Sequence, residues 1–310
     1  MTRVSVGVPV YNGGDLLVET LRSIQAQTLQ ECEVVISIDG GDNGSLAVCE
    51  PFLGDPRFRL VQQARNLGWP GNHQWLMDTC AAEFFCYWQQ DDMAASNYLA
   101  ELLAGHDTHP GSSVTFCDVQ WFGELNYLES IDSITGTATE RLLKFAQHQH
   151  WIPLRGLTRT ELIGQIPSEL ALSANSPFDC GFVAALASLA AMIRVASTMY
   201  FKRRHQESWS SKFHLRPEDR RRRDWLIRGT AMAKQLVRVT PALERDAALL
   251  QLLSRFALPV EGLYFDFVDA RPEALRRFVA DWAALGALLP SAAYVSALPE
   301  DSPLKAVLQA

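Results

Sequence analysis

Four runs rich in β-branched and aromatic residues, VSVGVPV (4–10), EVVISI (33–38), FRLVQ (58–62) and FFCYW (84–88), are separated by segments with helical periodicity. Strands that alternate with helices and lack a regular polar face belong to a mostly parallel sheet covered on both sides. The turns between them are written in Gly, Asn and Asp, as in YNGG and DGGDNG. After the first of these, Asp15 is a favoured N-cap, and Leu17, Leu21 and Ile24 at spacings of four and three predict one apolar helix face. A second helix is predicted from Asn72 to Ala82, leading into FFCYW.

Composition narrows the partners. A chain of 310 residues with 48% apolar side chains can bury one large core or two modest ones. Its net charge of -7 argues against a nucleic-acid protein held by overall basicity. The six cysteines are scattered with no Cys-x-x-Cys, so buried free thiols and a cytoplasmic setting are expected. No charged-then-apolar leader opens the sequence. The longest apolar run, Gly181 to Phe201, contains Arg194 and many small residues, which predicts a buried helix rather than a membrane span. From Pro217 the pattern becomes helical, punctuated by Pro and Gly and opened by four consecutive arginines. Mixed charges around that run favour a solvated helix face over a lipid contact.

In parallel sheets, ligands bind at the carboxyl ends of the strands. Tyr11 and Asn12 follow the first strand, Asp39 the second, and Asp91 and Asp92 follow FFCYW. Two adjacent carboxylates repel unless a cation joins them, and Mg or Mn with a diphosphate is a common arrangement of hard oxygen ligands. The structural alternative is that the pair caps a helix beginning in MAASNYLAELLAG.

The ordered segments VSVGVPVYNGGDLLVETLRSIQAQT, EVVISIDGG and ARNLGWPGNHQWLMDTCAAEFFCYWQQDD resemble the nucleotide-sugar-binding half of family 2 glycosyltransferases, over about the first 120 residues. The resemblance implies a GT-A type, Rossmann-like, mostly parallel α/β sheet flanked by helices. It implies a nucleotide pocket built from Pro9, Tyr11, Asn12, Asp39, Arg65, Asn72, His73 and Gln90, and metal contacts from Asp91 and Asp92. The sequence departs from the family in two places: Gln89 stands where the Asp-x-Asp motif has its first acid, and Gly40 where a second acid follows Asp39. An amide still bonds a ribose hydroxyl but brings no charge to a cation. The helix after NLGWPGN, with Arg65 nearby, offers backbone N–H groups to a diphosphate; the alternative is a surface turn and cap.

In the second half, the resemblance implies that Asp179, in SANSPFDCGFV, is the general base, with Glu169 as the fallback; the alternative for Asp179 is a helix N-cap. In MYFKRRHQESWSS it implies that His205 approaches the metal or diphosphate and that Lys202, Arg203 and Arg204 neutralise phosphate. The alternative is a solvated basic face. His148 and His150 lack metal-like spacing and read as ordinary polar residues.

The expected protein is an inverting, Mn- or Mg-dependent transferase that moves a sugar from a nucleoside diphosphate sugar to a hydroxyl of a glycan or glycolipid. Residues 1–120 would bind the donor, 121–216 the acceptor and base, and 217–310 would form a helical C-terminal subdomain. Peripheral membrane contact and a homodimer stay open. A non-catalytic GT-A module that binds nucleotide or glycan competes, sustained by Gln89. A different α/β nucleotide enzyme is the third reading; no G-x-G-x-x-G follows the first strand, and no Gly-rich loop carries a phosphate-binding Lys.

Overall fold

The computed structural model describes residues 2–41, 44–166, 178–205, 217–258 and 271–309. Its first part runs β1 (Val4–Val10), α1 (Asp15–Gln25), β2 (Cys32–Ile38), α2 (Ser45–Cys49), β3 (Phe58–Gln62), α3 (Gly68–Thr79) and β4 (Phe84–Tyr87). These four strands pair in parallel in the order β3-β2-β1-β4, with Val4 beside Cys32 on one side and Phe84 on the other. Every residue of β1 is buried, as expected for a strand covered on both faces. Leu17, Leu21 and Ile24 of α1 are fully buried, each worth about 1.5–3 kcal/mol relative to exposure.

The chain continues through β5 (Met93–Ala94), α4 (Tyr98–Thr108), β6 (Ser112–Gly123), β7 (Tyr127–Glu129), α5 (Ala138–His148), β8 (Leu157–Arg159), α6 (Thr160–Ile163), α7 (Phe178–Leu189) and β9 (Ala191–Arg204). The sheet extends from β4 through β8, β6 and β9 to β5, and β7 pairs with β6. Beyond β4 the pairing is mixed: β8 is antiparallel to both neighbours, while β6 and β9 run parallel over nearly their whole length.

This corrects the single buried helix expected from Gly181 to Phe201. The helix stops at Leu189, and Ala191–Arg204 is a long strand. Helix propensity gives way here to pairing with β6, which a run containing Ile193, Val195 and Thr198 accommodates readily. The second half of β9 alternates, with Thr198, Tyr200 and Lys202 facing inward.

The last part is helical: α8 (Glu218–Val239), α9 (Arg245–Ala257), α10 (Pro272–Ala284), α11 (Ala292–Ser296) and α12 (Lys305–Leu308). Trp225, Phe256 and Trp282 form its centre, with ring centroids 4.6 and 5.5 Å apart. Polar links join it to the rest: Gln235 Nε2 donates to Ser188 Oγ at 2.7 Å, Thr139 Oγ1 to Thr240 Oγ1 at 3.0 Å. In the arginine run, Arg220 and Arg223 are exposed, and Arg222 lies 3.7 Å from Asp281. All six cysteines are free and buried. Among the described residues no helix is long and apolar enough to cross a membrane.

Candidate active site

The carboxyl ends of β1, β2 and β4 bring Tyr11, Asn12, Asp39 and Gln89–Asp92 to one edge of the sheet. Pro9 is buried in β1 opposite Ser37, whereas Tyr11 is 53% exposed and Asn12 takes a left-handed φ of 52°. Gln90 fixes this turn like a short extra strand: its Oε1 accepts from the Tyr11 N–H at 2.8 Å and its Nε2 donates to the Tyr11 carbonyl at 3.0 Å. The amide is engaged with backbone rather than turned to a ligand. A polar stripe from α1 braces the same loop. Thr20 Oγ1 donates to the Gln90 carbonyl at 2.9 Å, Ser23 Oγ to the Ala94 carbonyl at 3.1 Å, and Gln27 Nε2 to the Ala95 carbonyl at 2.8 Å. Thr20 and Ser23 share one face of α1, and Gln27 continues the line just past its end.

The two adjacent acids have separate environments. Asp91 is half-buried, and its Oδ2 lies 2.9 Å from His205 Nε2. Asp92 is fully buried; it accepts from the Tyr200 hydroxyl at 3.0 Å and the Arg203 N–H at 2.9 Å, with Lys202 Nζ 3.7 Å away. Asp92, expected beside Asp91 at the metal, thus has both oxygens engaged by the end of β9 and its charge shared with Lys202. Burial pushes the Asp92 carboxyl up, opposed chiefly by Lys202, and burial pushes the Lys202 ammonium down, opposed by Asp92. The helix-cap alternative fails too, since α4 starts only at Tyr98.

Lys202 and Arg203 are not a solvated face. Lys202 Nζ donates to Gln89 Oε1 at 3.0 Å and lies 5.3 and 5.1 Å from the ring centres of Trp121 and Trp151. Gln89, in the place of the expected acid, thus binds an ammonium already inside the protein. Arg203 bonds the Asp91 carbonyl at 3.1 Å and pairs with Glu19.

Asp179, the expected base, is half-buried in the first turn of α7, and its Oδ1 accepts from the Cys180 N–H at 2.8 Å. Since α7 begins at Phe178, Asp179 is not the N-cap. Glu169 lies outside the described residues. Arg155 lies 3.9 Å from Asp92 and feels the charge of Asp179 as well.

Several nucleotide-side expectations change. The helix α3 opens at Gly68, four residues before the expected start, because Pro70 fits a first turn whose N–H groups lack helical partners. Asn72 and His73 consequently lie in the second turn and face inward. Asn72 bonds Ser37 twice, accepting from its hydroxyl at 2.5 Å and donating to its carbonyl at 3.0 Å. His73 packs edge-on to Tyr87 with ring centroids 4.2 Å apart, and burial pushes it down to about 3. Both are buried against protein partners rather than set at the surface of the sheet edge. The N–H groups leading into α3 are taken as well, Leu67 by Asp39 Oδ1 at 2.6 Å and Gly68 by Asn66 Oδ1 at 2.7 Å. Arg65, two residues earlier, is exposed. Gly40 has φ +83°, and a Cβ there would stand 2.8 Å from the Asn66 nitrogen, so no acid fits at this position.

Among the described residues no group of three or more His, Cys, Asp and Glu side chains is arranged to hold a metal. Asp91 and His205 together offer a hard carboxylate oxygen and an imidazole nitrogen, a donor set that suits Mn. The remaining positions fall to phosphate oxygens and water, so the residues present fit such an ion.

Arg155, Tyr200, Trp121 and Trp151 were not singled out from the sequence. A lone arginine inside the apolar stretch WIPLRGL was the available signal for Arg155, and the alternation of β9 for Tyr200.

Residues 5–159 match the sequence profile described as Glycosyl transferase family 2. Glycosyltransferase GlyG of Streptococcus pneumoniae is 30% identical over 100 residues, 32% of this chain and 33% of that protein. The GalNAc(5)-diNAcBac-PP-undecaprenol beta-1,3-glucosyltransferase of Campylobacter jejuni is 29% identical over 105 residues, 33% of this chain and 34% of that one. The matched segment thus spans about a third of these curated relatives. Among solved structures, S. aureus TarS 1-349 in complex with UDP-GlcNAc superposes with a TM-score of 0.71 at 17% identity, covering 95% of this chain and 83% of that one. Mannosyltransferase PcManGT from Pyrobaculum calidifontis, with GDP-Man and Mn2+, gives 0.57 at 16% identity over 99% and 84%. At these identities the structural likeness is one of fold, the GT-A fold. The profile covers half of the sequence, from β1 to the end of β8, and the chain belongs to glycosyl transferase family 2.

Proposed function

We propose that this protein is an inverting glycosyltransferase that moves a sugar from a nucleoside diphosphate sugar to a hydroxyl of a glycan or glycolipid. The observation that carries the reading is the Asp91–His205 pair, at 2.9 Å, on the same edge of the sheet as the exposed Tyr11. Neighbours of the same fold are described with UDP-GlcNAc and with GDP-Man and Mn2+, and a relative acts on a lipid-diphosphate-linked glycan. Residues 1–120 would bind the donor, 121–216 the acceptor, and 217–310 would support the second half. Six free thiols favour a cytoplasmic setting.

In this reading Tyr11, Asn12 and Asp39 line the nucleotide, with Arg65 at the rim. Asp91 and His205 hold a divalent cation, which when bound stabilises the charge that develops on the leaving diphosphate. Asp179 takes the proton from the acceptor hydroxyl. The hydroxyl oxygen bonds to the anomeric carbon as the carbon–oxygen bond to the diphosphate breaks, and that electron pair leaves with the phosphate. Gln90 and the α1 stripe keep the loop rigid, so Asp91 is presented without reorganisation.

The test is calorimetry with UDP, GDP and dTDP, with and without Mn, followed by transfer assays on glycan acceptors. Asp179→Asn should keep donor affinity and lose transfer by about 10²–10⁴-fold. Equal loss of both properties would remove Asp179 as the base. Nucleotide binding with no transfer to any acceptor would instead favour the binding-module reading, for which the Gln89–Lys202 bond speaks.

A further inference from the structure

Arg155 ends a 3₁₀ turn, Ile152–Arg155, inside an apolar stretch. Its main chain is anchored, because the Tyr98 hydroxyl donates to the Arg155 carbonyl. Its side chain keeps only 7% of its surface exposed. The guanidinium lies 5.0 Å from the ring centre of Tyr87 and 5.4 Å from that of Trp151. Its Nε and Nη1 are buried and make no hydrogen bond among the described residues. The nearest carboxylate oxygen, Asp92 Oδ2, is 3.9 Å from Nε, too far for one, and already accepts from Tyr200.

Unmet donors in dry surroundings are costly, and native structures hold few such groups without a use. Charge points the same way. Asp92, the fully buried carboxylate here, is approached by two cations, Lys202 Nζ at 3.7 Å and Arg155 Nε at 3.9 Å, so it is shared between them. A planar guanidinium fork suits an oxyanion and can meet it with two hydrogen bonds.

We infer that Arg155 is a substrate-binding residue whose guanidinium, set beside Asp92 and the rings of Tyr87 and Trp151, receives an oxyanion of the bound donor. The inference rests on the donor-binding reading above. Two sources supply that chemistry: the diphosphate, or a carboxylate on the transferred sugar.

The full chain, wild type and Arg155→Met, is titrated with UDP, UDP-glucose and UDP-glucuronate in the presence of Mn, and thermal midpoints are recorded in parallel. Arg155→Met is expected to lose roughly 10–100-fold in affinity, the range for one or two charge-assisted hydrogen bonds. Its midpoint should hold or rise, since a buried guanidinium with two unbonded nitrogens is replaced by an apolar chain of similar length while Asp92 keeps Lys202. Equal loss for all three probes assigns the diphosphate; loss confined to UDP-glucuronate assigns the sugar carboxylate. Unchanged affinity for all three overturns the inference and leaves the donor-binding reading standing. A fallen midpoint with unchanged affinity also overturns it, giving Arg155 a purely structural role as a clamp between Tyr87 and Trp151. If Arg155→Met does not fold, Arg155→Lys is read against the same three probes. Where GDP or dTDP is the nucleotide bound, its sugar and sugar-acid conjugates replace the uridine probes; a wild-type chain that binds none of UDP, GDP and dTDP removes the donor reading and this inference together.

Discussion

The imidazole of His205 and the carboxylate of Asp91 meet at 2.9 Å although 114 residues separate them. The turn after β4 supplies one, the end of β9 the other. Substituting either with alanine should abolish the effect of Mn on nucleotide affinity, a loss at least as large as the 10–100-fold that removal of an outer-shell partner costs. Titration of UDP with and without Mn reads this directly; a mutant that keeps the full Mn effect would separate that residue from the metal.

Asp92, one position on, should behave in the opposite way. Asp92→Asn leaves Lys202 and Arg155 buried without a counter-charge, and a fully buried pair broken this way typically loses about 3–5 kcal/mol of stability. Asp91→Ala should change the chemical-denaturation midpoint little, being half-exposed. If the two variants prove equally stable, the division of labour between these neighbours is mistaken.

Acid should destabilise the fold from pH 6.5 downward through two buried histidines. Burial pushes His73 down to about 3 and His106 to about 4, from an ordinary 6.5. Above 6.5 both are neutral in either state and add no slope. Below it the unfolded chain takes up protons that the folded chain refuses until about pH 4 for His106 and about pH 3 for His73. Stability therefore falls with falling pH, by up to about 1.4 kcal/mol per pH unit for each histidine. His73→Phe, which keeps the packing against Tyr87, should flatten the urea-midpoint slope between pH 6 and 4 by one proton. An unaltered slope would show that His73 is not refusing a proton.

Gly40→Asp would restore the acid that the family resemblance places there, yet should weaken the protein. A left-handed non-glycine residue costs roughly 1–2 kcal/mol, and the added Cβ meets the Asn66 backbone at 2.8 Å. Lower thermal stability together with weaker nucleotide binding is expected, since Asn66 leads into the turn held by Asp39. A stabilised variant would contradict the turn geometry.

The first four strands were legible because parallel strands leave continuous apolar runs, and β1 to β4 appear within a residue or two of the predicted spans. What failed failed locally. Helix α3 starts at Gly68, four residues before the expected Asn72, because a first turn accepts Pro70. Asn72 and His73, which the resemblance places at the nucleotide, then fall in the second turn and meet Ser37 and Tyr87. The run Gly181–Phe201 carries no Gly or Pro between helix and strand, so only pairing with a strand nearly 80 residues earlier decides where one becomes the other. The convergence of Asp91 with His205 and the burial of Arg155 are likewise long-range results, which local periodicity does not encode.

That uninterrupted run has a further consequence. A single residue, Ala190, lies between the last turn of α7 and the first residue of β9. The helix leads away from Asp179 and the strand returns to Lys202 and His205, so both ends of the proposed reaction centre hang on one continuous stiff segment. The interval between Asp179 and His205 is thereby set like the jaws of a caliper, by covalent length rather than by loop closure. An inserted or deleted residue near Ala190 would slip β9 against β6 and turn Tyr200 and Lys202 to the opposite face. Length variation among proteins built this way should therefore collect in the outer turns and spare this segment.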